Sequence, residues 1–331
     1  MNLLTFTGKG IYCEKGDFYI DPWQPVKKAV ITHAHSDHAT NGHTKYLATQ
    51  MTLHVLYHRL GIQDYTGLEY GQTLQVNGVK VSFHPAGHII GSAQVRVESK
   101  GEVWVVSGDY KIHNDGLSTP FEPVRCHHFI TESTFGLPAF RWADPKIVYE
   151  QINQWWKKNA TMGKASVLSV YALGKAQRIL QNVNHDIGPV LAHGAVENMN
   201  TILRNAGHPL KPNKKIDLSN HKELARALVL VTPGSIQSSW FKRFKNHSIG
   251  YASGWMNIRG VKRRRGVDAG FVLSDHADWD GLIQAIQATG AESIYVTHGY
   301  TQIFSRYLNE NGWDAQPILT EYGGEQENEL E

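Results

Sequence analysis

The chain has 331 residues, 41% hydrophobic and 19% charged, with a net charge of +3. That composition excludes a disordered chain, and the length implies two domains or one large domain with an insertion. Two cysteines, Cys13 and Cys126, without a Cys-x-x-Cys, fit a reducing compartment. Residues Met1 to Phe6 carry no signal-peptide pattern, and no apolar run approaches ~18 residues, so a cytoplasmic protein without membrane contact is expected.

In chain order, the first part reads as strands and tight turns. Asp17 to Asp21 is a short strand ending in a carboxylate. Val79 to His84 and Gln94 to Glu98 alternate apolar and polar residues, while Glu102 to Ser107 is more continuously apolar and so more buried. Cys126 to Ile130 reads as the approach to a buried strand rather than a metal cluster, although His127 and His128 follow the thiol. Asp144 is a suitable N-cap for a helix that starts at Pro145 and runs to Lys158. Val167 to Val170 is a buried strand leading to a helix over Leu173 to Asn184. An apolar stretch from Ala225 to Val231 runs out at Thr232-Pro233-Gly234. Gly270 to Ser274 and Ser293 to Thr297 are short strands flanking a helix from Trp279 to Thr289. The pattern predicts an α/β protein of two mixed sheets, residues 1–164 and 268–331, with a second α/β unit inserted at 165–267.

Charge is spread unevenly along these elements. Thr201 to Arg265 holds fourteen Lys/Arg against Asp217 and Glu223, a local charge of +12, so the remainder carries −9. A basic segment in an acidic body is either a solvated face or the contact for a polyanion. The closing stretch from Glu325 to Glu331 is expected to fray.

The densest chemistry lies at Thr32-His33-Ala34-His35-Ser36-Asp37-His38, directly after the apolar Ala29-Val30-Ile31. Four metal-ligand side chains fall within six residues. A strand ending in a tight loop can aim His33 and His35 one way and Asp37 and His38 another. Three histidines and a carboxylate favour zinc or a similar borderline metal over calcium or magnesium. Three later strand ends repeat the layout. Gly87 permits a sharp turn that projects His88; Ser107-Gly108-Asp109 places a carboxylate where it can bridge two cations; His298 precedes Gly299 at the end of an apolar strand. Together they offer His33, His35, His88 and Asp109 to one ion, and Asp37, His38, Asp109 and His298 to a second. That count suits a dinuclear hydrolytic site.

This set resembles the metallo-β-lactamase hydrolase superfamily. The resemblance implies an αβ/βα sandwich with the site along one sheet edge. It also implies that Asp21 orients ligand histidines rather than binding metal. Further stretches are similar to the β-CASP nuclease branch, in which a β-CASP α/β domain is inserted. Thr131-Glu132-Ser133-Thr134-Phe135-Gly136 is similar to Glu-Ser-Thr-Tyr-Gly. Tyr171-Ala172-Leu173-Gly174-Lys175-Ala176-Gln177 is similar to Phe-Ala-Leu-Gly-Arg-Ala-Gln. Thr232-Pro233-Gly234-Ser235-Ile236-Gln237-Ser238 is similar to Ser-Pro-Gly-Met-x-Gln-Ser, and Ser274-Asp275-His276-Ala277-Asp278 to Ser-Ala-His-Ala-Asp. The matches run in order from Asp17 to Gly299. Two departures stand out: Phe135 replaces Tyr, and Asp275 stands where Ala is common, an extra carboxylate expected to alter His276's proton affinity.

The resemblance implies phosphodiester hydrolysis with two divalent ions, zinc first and manganese second. Asp109 would bridge, Asp37 could take a proton from water, and His276 would serve the leaving oxygen with Glu132 as its orienting partner. The insert would grip the nucleic acid through Lys175, Ser235, Gln237, Ser238, Arg263, Arg264 and Arg265. Trp240, Trp255 and Trp279 are either base-stacking platforms or core. A compact chain with a short insert is most similar to the bacterial DNA-ligase-associated exonuclease family. The expected activity is therefore a DNA exonuclease of DNA repair, acting on single strands or ends, with a DNA ligase and other repair proteins as partners. The alternatives are an RNA endonuclease or exoribonuclease, a glyoxalase-like thioesterase, and a non-catalytic scaffold. The scaffold reading conflicts with the full set of candidate ligands.

Overall fold

The structure is a computed structural model and describes residues 2–318; the acidic stretch from Glu325 to Glu331 lies outside them. Its contacts divide the chain into two units, residues 1–141 with 276–331 and residues 142–275.

The first unit is built on two sheets. One has six strands, with Phe18–Ile20, Lys28–Val30, Lys45–Thr49 and Tyr65–Leu68 running parallel. The other has seven and takes in Val79–Pro85, Ala93–Ser99, Glu102–Val106, His128–Ser133 and Ser293–Gly299. Strand alternation explains the layering. In Glu102–Val106, Trp104 and Val106 join a core shared with Phe18, Ile20 and Val30 of the other sheet. Val103 and Val105 point the opposite way, into a core closed by Trp279, Leu282 and Ile286 of the helix Trp279–Thr289 and by Phe304 and Leu308 of Thr301–Glu310. Both faces of this strand are therefore buried, as its unbroken apolar sequence requires. On the outer side of the first sheet, the helix Gln50–Leu60 follows directly on strand Lys45–Thr49. The result is the αβ/βα sandwich, and no described helix is long and apolar enough to cross a membrane.

The second unit is an all-parallel six-stranded sheet with Ala165–Ser169 near its centre, paired to Leu228–Val231 and His247–Ala252. It begins earlier than residue 165. Asp144 accepts the Lys146 N–H and starts a helix over Pro145–Thr161. That helix sends Val148, Ile152 and Trp156 into the same core as Leu168 and Leu230. The unit also extends past 267, because strand Ala269–Phe271 pairs with His247–Ala252. The expected boundaries followed the first and last apolar strand runs, whereas packing assigns the flanking helix and edge strand to the insert.

One buried histidine of the first unit is a structural group. His43 Nδ1 accepts the Val26 N–H at 3.3 Å, and its Nε2 meets Thr40 Oγ1 at 3.1 Å, while Thr40 donates to the Pro22 carbonyl at 2.9 Å. These bonds need a neutral ring, and burial lowers its pKa from 6.5 to about 4. The unfolded ring takes up a proton near its ordinary value, and the folded ring does so only near 4. This contribution to stability is thus complete above pH ~6.5 and is lost as pH falls toward 4. Melting temperature is expected to drop through that window, and His43→Asn, which does not titrate, to shallow the slope.

Candidate metal centre

Each candidate ligand sits where a strand ends. The loop His33 to His38 leaves Lys28–Val30, and Asp21, just past Phe18–Ile20, anchors it. Asp21 Oδ1 accepts the Thr32 N–H at 2.8 Å, and Oδ2 accepts the Thr32 hydroxyl at 2.6 Å and His38 Nδ1–H at 2.7 Å. The Thr32 oxygen in turn lies 3.0 Å from His33 Nδ1. With its hydrogen committed to Asp21, that oxygen accepts. Protons are thereby held on Nδ1 of His33 and His38, leaving each Nε2 to face inward.

His88 follows Val79–Pro85 through Gly87, whose φ is +74°. A Cβ there would collide with the Lys111 carbonyl oxygen, so the turn that aims His88 needs glycine. Gly87→Ala is expected to cost about 1–3 kcal/mol in left-handed strain alone, with the collision added. A melt in chelator should show a loss of several degrees.

Asp109 follows Glu102–Val106 and is buried. Its Oδ2 lies 3.5 Å from His33 Nε2 and 3.8 Å from His88 Nε2, while Oδ1 lies 3.4 Å from His38 Nε2. His35 Nδ1 lies 3.1 Å from His88 Nε2, and Asp37 Oδ2 lies 3.8 Å from His38 Nε2. The donor atoms of His33, His35, His88 and Asp109 lie within 4.8 Å of one another, as do those of Asp37, His38 and Asp109. One carboxylate thus belongs to both groups.

These separations fit ligation. Two donors each ~2.0–2.2 Å from one tetrahedral ion stand roughly 3.4 Å apart, too far for a strong hydrogen bond and close to the distances observed. The buried Nε2 atoms of His33 and His38 have no hydrogen bond. The titratable groups here act strongly on one another. Burial, reinforced by the charge of His38, holds His33 well below its ordinary pKa. Burial opposes the charge on His38, but Asp109 and Asp37 raise it well above. Burial opposes ionisation of Asp109 too, yet His38 and His276 keep its carboxyl far below the usual range. The donor set of imidazole and carboxylate therefore fits a divalent ion.

His298 arrives by a different device. Glu132 pairs with Thr297 and Ser133 with Gly299, so His298 is the extra residue of a bulge, with φ of +52°. Its ring stacks on His38 at 5.0 Å, and both line a cavity of about 30 Å³ with Asp37. Burial lowers its pKa. It lies beside the Asp37, His38, Asp109 group without joining it.

Glu132 ends the strand His128–Ser133. Its Oε1 accepts the Tyr110 N–H at 2.7 Å and its Oε2 accepts His276 Nδ1–H at 2.8 Å. Burial raises its pKa against the opposing charge of His276. The His276 ring lies 4.7 Å from that of His88.

Within the insert, several residues stand apart from their expected place. Lys175 is 2% exposed, lies 4.7 Å over the Tyr171 ring and 3.6 Å from Asp275 Oδ2, and is not open to phosphate. Asp275 also accepts from Arg178, which donates to the Ser274 carbonyl at 2.6 Å. Lys175, which stands where the similar motif has Arg, thus faces Asp275, which stands where Ala is common, and the extra carboxylate is engaged by cations of its own unit. Ser235 is buried against Thr232 Oγ1 at 2.6 Å and His193 Nδ1 at 3.1 Å, and Ser238 donates to the Ser235 carbonyl at 2.7 Å. Their hydroxyls are spent on the turn. Gln237, Arg263 and Arg264 are exposed, while Arg265 lies 4.5 Å over Tyr251. Trp255 and Trp279 are core, and Trp240 packs on His193 at 4.4 Å. Cys126 is a buried free thiol. Nothing in the sequence pattern pointed to Arg59, which binds the ligand loop through main-chain carbonyls and so leaves no motif.

No family model matches the chain. Over 313 residues it is 29% identical to a probable DNA ligase of Opitutus terrae, covering 93% of this chain and 30% of that protein. It is 32% identical over 116 residues to endoribonuclease YSH1 of Saccharomyces cerevisiae, covering 34% of this chain and 14% of the relative. An RNase J-like protein of Methanocaldococcus jannaschii is 30% identical over 126 residues, 36% of this chain and 29% of the relative. The chain thus spans less than a third of the length of each. A crystal structure of a protein of unknown function from Enterococcus faecalis matches with a TM-score of 0.61 at 13% identity, covering 90% of this chain and 80% of that one. The sandwich, its inserted parallel sheet, the ordered motifs and these similarities all support the β-CASP branch of the metallo-β-lactamase superfamily.

Proposed function

We propose that the protein is a metal-dependent nuclease that hydrolyses phosphodiester bonds, with DNA strands or ends as substrate. The observation that carries the reading is the Asp109 carboxylate, one oxygen of which faces His33 and His88 and the other His38, beside the Glu132–His276 pair. His33, His35, His88 and Asp109 would hold one divalent ion, and Asp37, His38 and Asp109 a second with His298 beside it, zinc or manganese by the donor chemistry. Such ions would make a water acidic and offset the charge on the phosphate oxygens.

The chain's own groups do the rest. Asp37, the more exposed of the two carboxylates, can accept the proton of the attacking water. Glu132 keeps the His276 proton on Nδ1 and favours the charged ring. His276 can then hand a proton from Nε2 to the leaving oxygen. On the insert, Gln237, Arg263 and Arg264 are available for phosphate, whereas Lys175 serves to hold Asp275.

DNA is favoured because a protein named as a DNA ligase contains a stretch similar to nearly all of this chain. Trimming an end and sealing it are successive steps on one substrate, so a ligase is the proposed partner. RNA is the second reading, supported by the endoribonuclease and RNase J-like relatives over a third of the chain. End-labelled DNA and RNA of one sequence, single- and double-stranded, should be incubated with zinc-, manganese- or magnesium-loaded protein. Release of mononucleotides from a DNA end supports the proposal. Internal cuts in RNA would replace the substrate, and turnover of a thioester alone would replace the reaction.

A further inference from the structure

The helix Gln50–Leu60 touches both loops that carry the first group of candidate ligands. At its start, the buried Thr49 and Thr52 hydroxyls both donate to the Gly91 carbonyl, at 2.7 and 2.9 Å. Gly91 lies in the loop that presents His88. Its φ is +86°, and a Cβ there would stand 3.0 Å from the Thr52 nitrogen and from Met51, so loop and helix meet without room for a side chain. At the helix end, Arg59 Nη1 donates to the Ala34 carbonyl at 2.5 Å and Nη2 to the Ala39 carbonyl. Those two carbonyls flank His35 to His38. The half-buried guanidinium loses proton affinity to burial, against the pull of the Asp37 carboxylate.

Thr52 and Arg59 are about 10 Å apart along a helix that rises ~1.5 Å per residue. We propose that this helix is a strut that fixes the spacing between the His33–His38 loop and the His88 loop, with Arg59 and Thr52 as positioning residues for the metal centre. The proposal rests on the reading of that centre as metal-binding. A planar fork suits two carbonyls on one loop. A lysine ammonium reaches one point and leaves the other carbonyl unpaired. Threonine at 52 supplies a hydroxyl in a buried site where valine has the same shape and no donor.

The test is zinc affinity, measured by competition with a chromophoric chelator on the metal-stripped full chain, with circular dichroism and a melt to establish folding. Partners that orient ligands typically change metal affinity 10–100-fold. Arg59→Met and Arg59→Lys are expected to weaken binding within that range, and Thr52→Val by less. Tyr57→Ala, exposed on the same helix, should bind as wild type. If Arg59→Met fails to fold, Arg59→Lys and Thr52→Val carry the test. Wild-type affinity in folded Arg59→Lys and Thr52→Val overturns the strut alone. A wild-type chain that bound no zinc would overturn the centre together with it.

Discussion

Asp109→Ala is expected to lower phosphodiester hydrolysis by about three orders of magnitude or more and to reduce bound metal from two ions per chain to one or none. The size follows from its position. The carboxylate is the single group shared by both donor sets, so its loss weakens two sites at once. Metal-based charge stabilisation contributes several kcal/mol to such reactions, at a tenfold rate change per ~1.4 kcal/mol. Asp109→Asn keeps the shape and one acceptor but not the charge that balances His38. It should therefore remain folded and still lose most activity. Metal analysis by mass spectrometry and turnover of a labelled oligonucleotide read both effects, and full activity in Asp109→Asn would sink the bridging role.

His276→Ala should lower kcat by about 10²–10⁴-fold, the usual range for general acid–base catalysis, with metal content unchanged. The leaving group supplies the discriminating control. A nitrophenyl phosphodiester expels a stable anion and needs no proton, so the same variant should lose far less on it. Equal losses on both substrates would remove His276 from proton delivery. Glu132→Gln probes the pairing behind it. A glutamine that keeps the Tyr110 N–H bond turns its amide N–H toward His276, which forces the imidazole into the other, neutral tautomer. A loss in kcat accompanied by a tautomer change in ring ¹⁵N spectra is expected; a loss without it would show a merely steric effect.

Much of the centre was legible because its chemistry is local in sequence. His33 to His38, His88 and Asp109 each follow an apolar strand, and a strand end is where a rigid scaffold presents polar groups. The helix Trp279–Thr289 was equally readable, with three strand runs of the first unit. What was not legible depended on partners far away in the chain. Pro145–Thr161 looked like a helix from its cap, but only packing against Leu168 and Leu230 assigns it to the insert. Lys175 looked like a phosphate ligand because a basic residue in a nuclease motif suggests one, and its partner Asp275 is a hundred residues later. His298 was a candidate from its strand-end position, but the bulge that turns it arises from pairing with His128–Ser133. Gln50–Leu60 gave little warning, because its Thr49 cap is itself the end of a strand and its first turn carries no acidic residue.

The most direct measurement is anomalous diffraction at the zinc edge from crystals of the loaded chain. The account predicts two peaks ~3.5–4 Å apart, one against His33, His35 and His88, the other against Asp37 and His38, with an Asp109 oxygen on each. A single peak away from Asp109, or no peak in a protein that still cuts DNA, would contradict it.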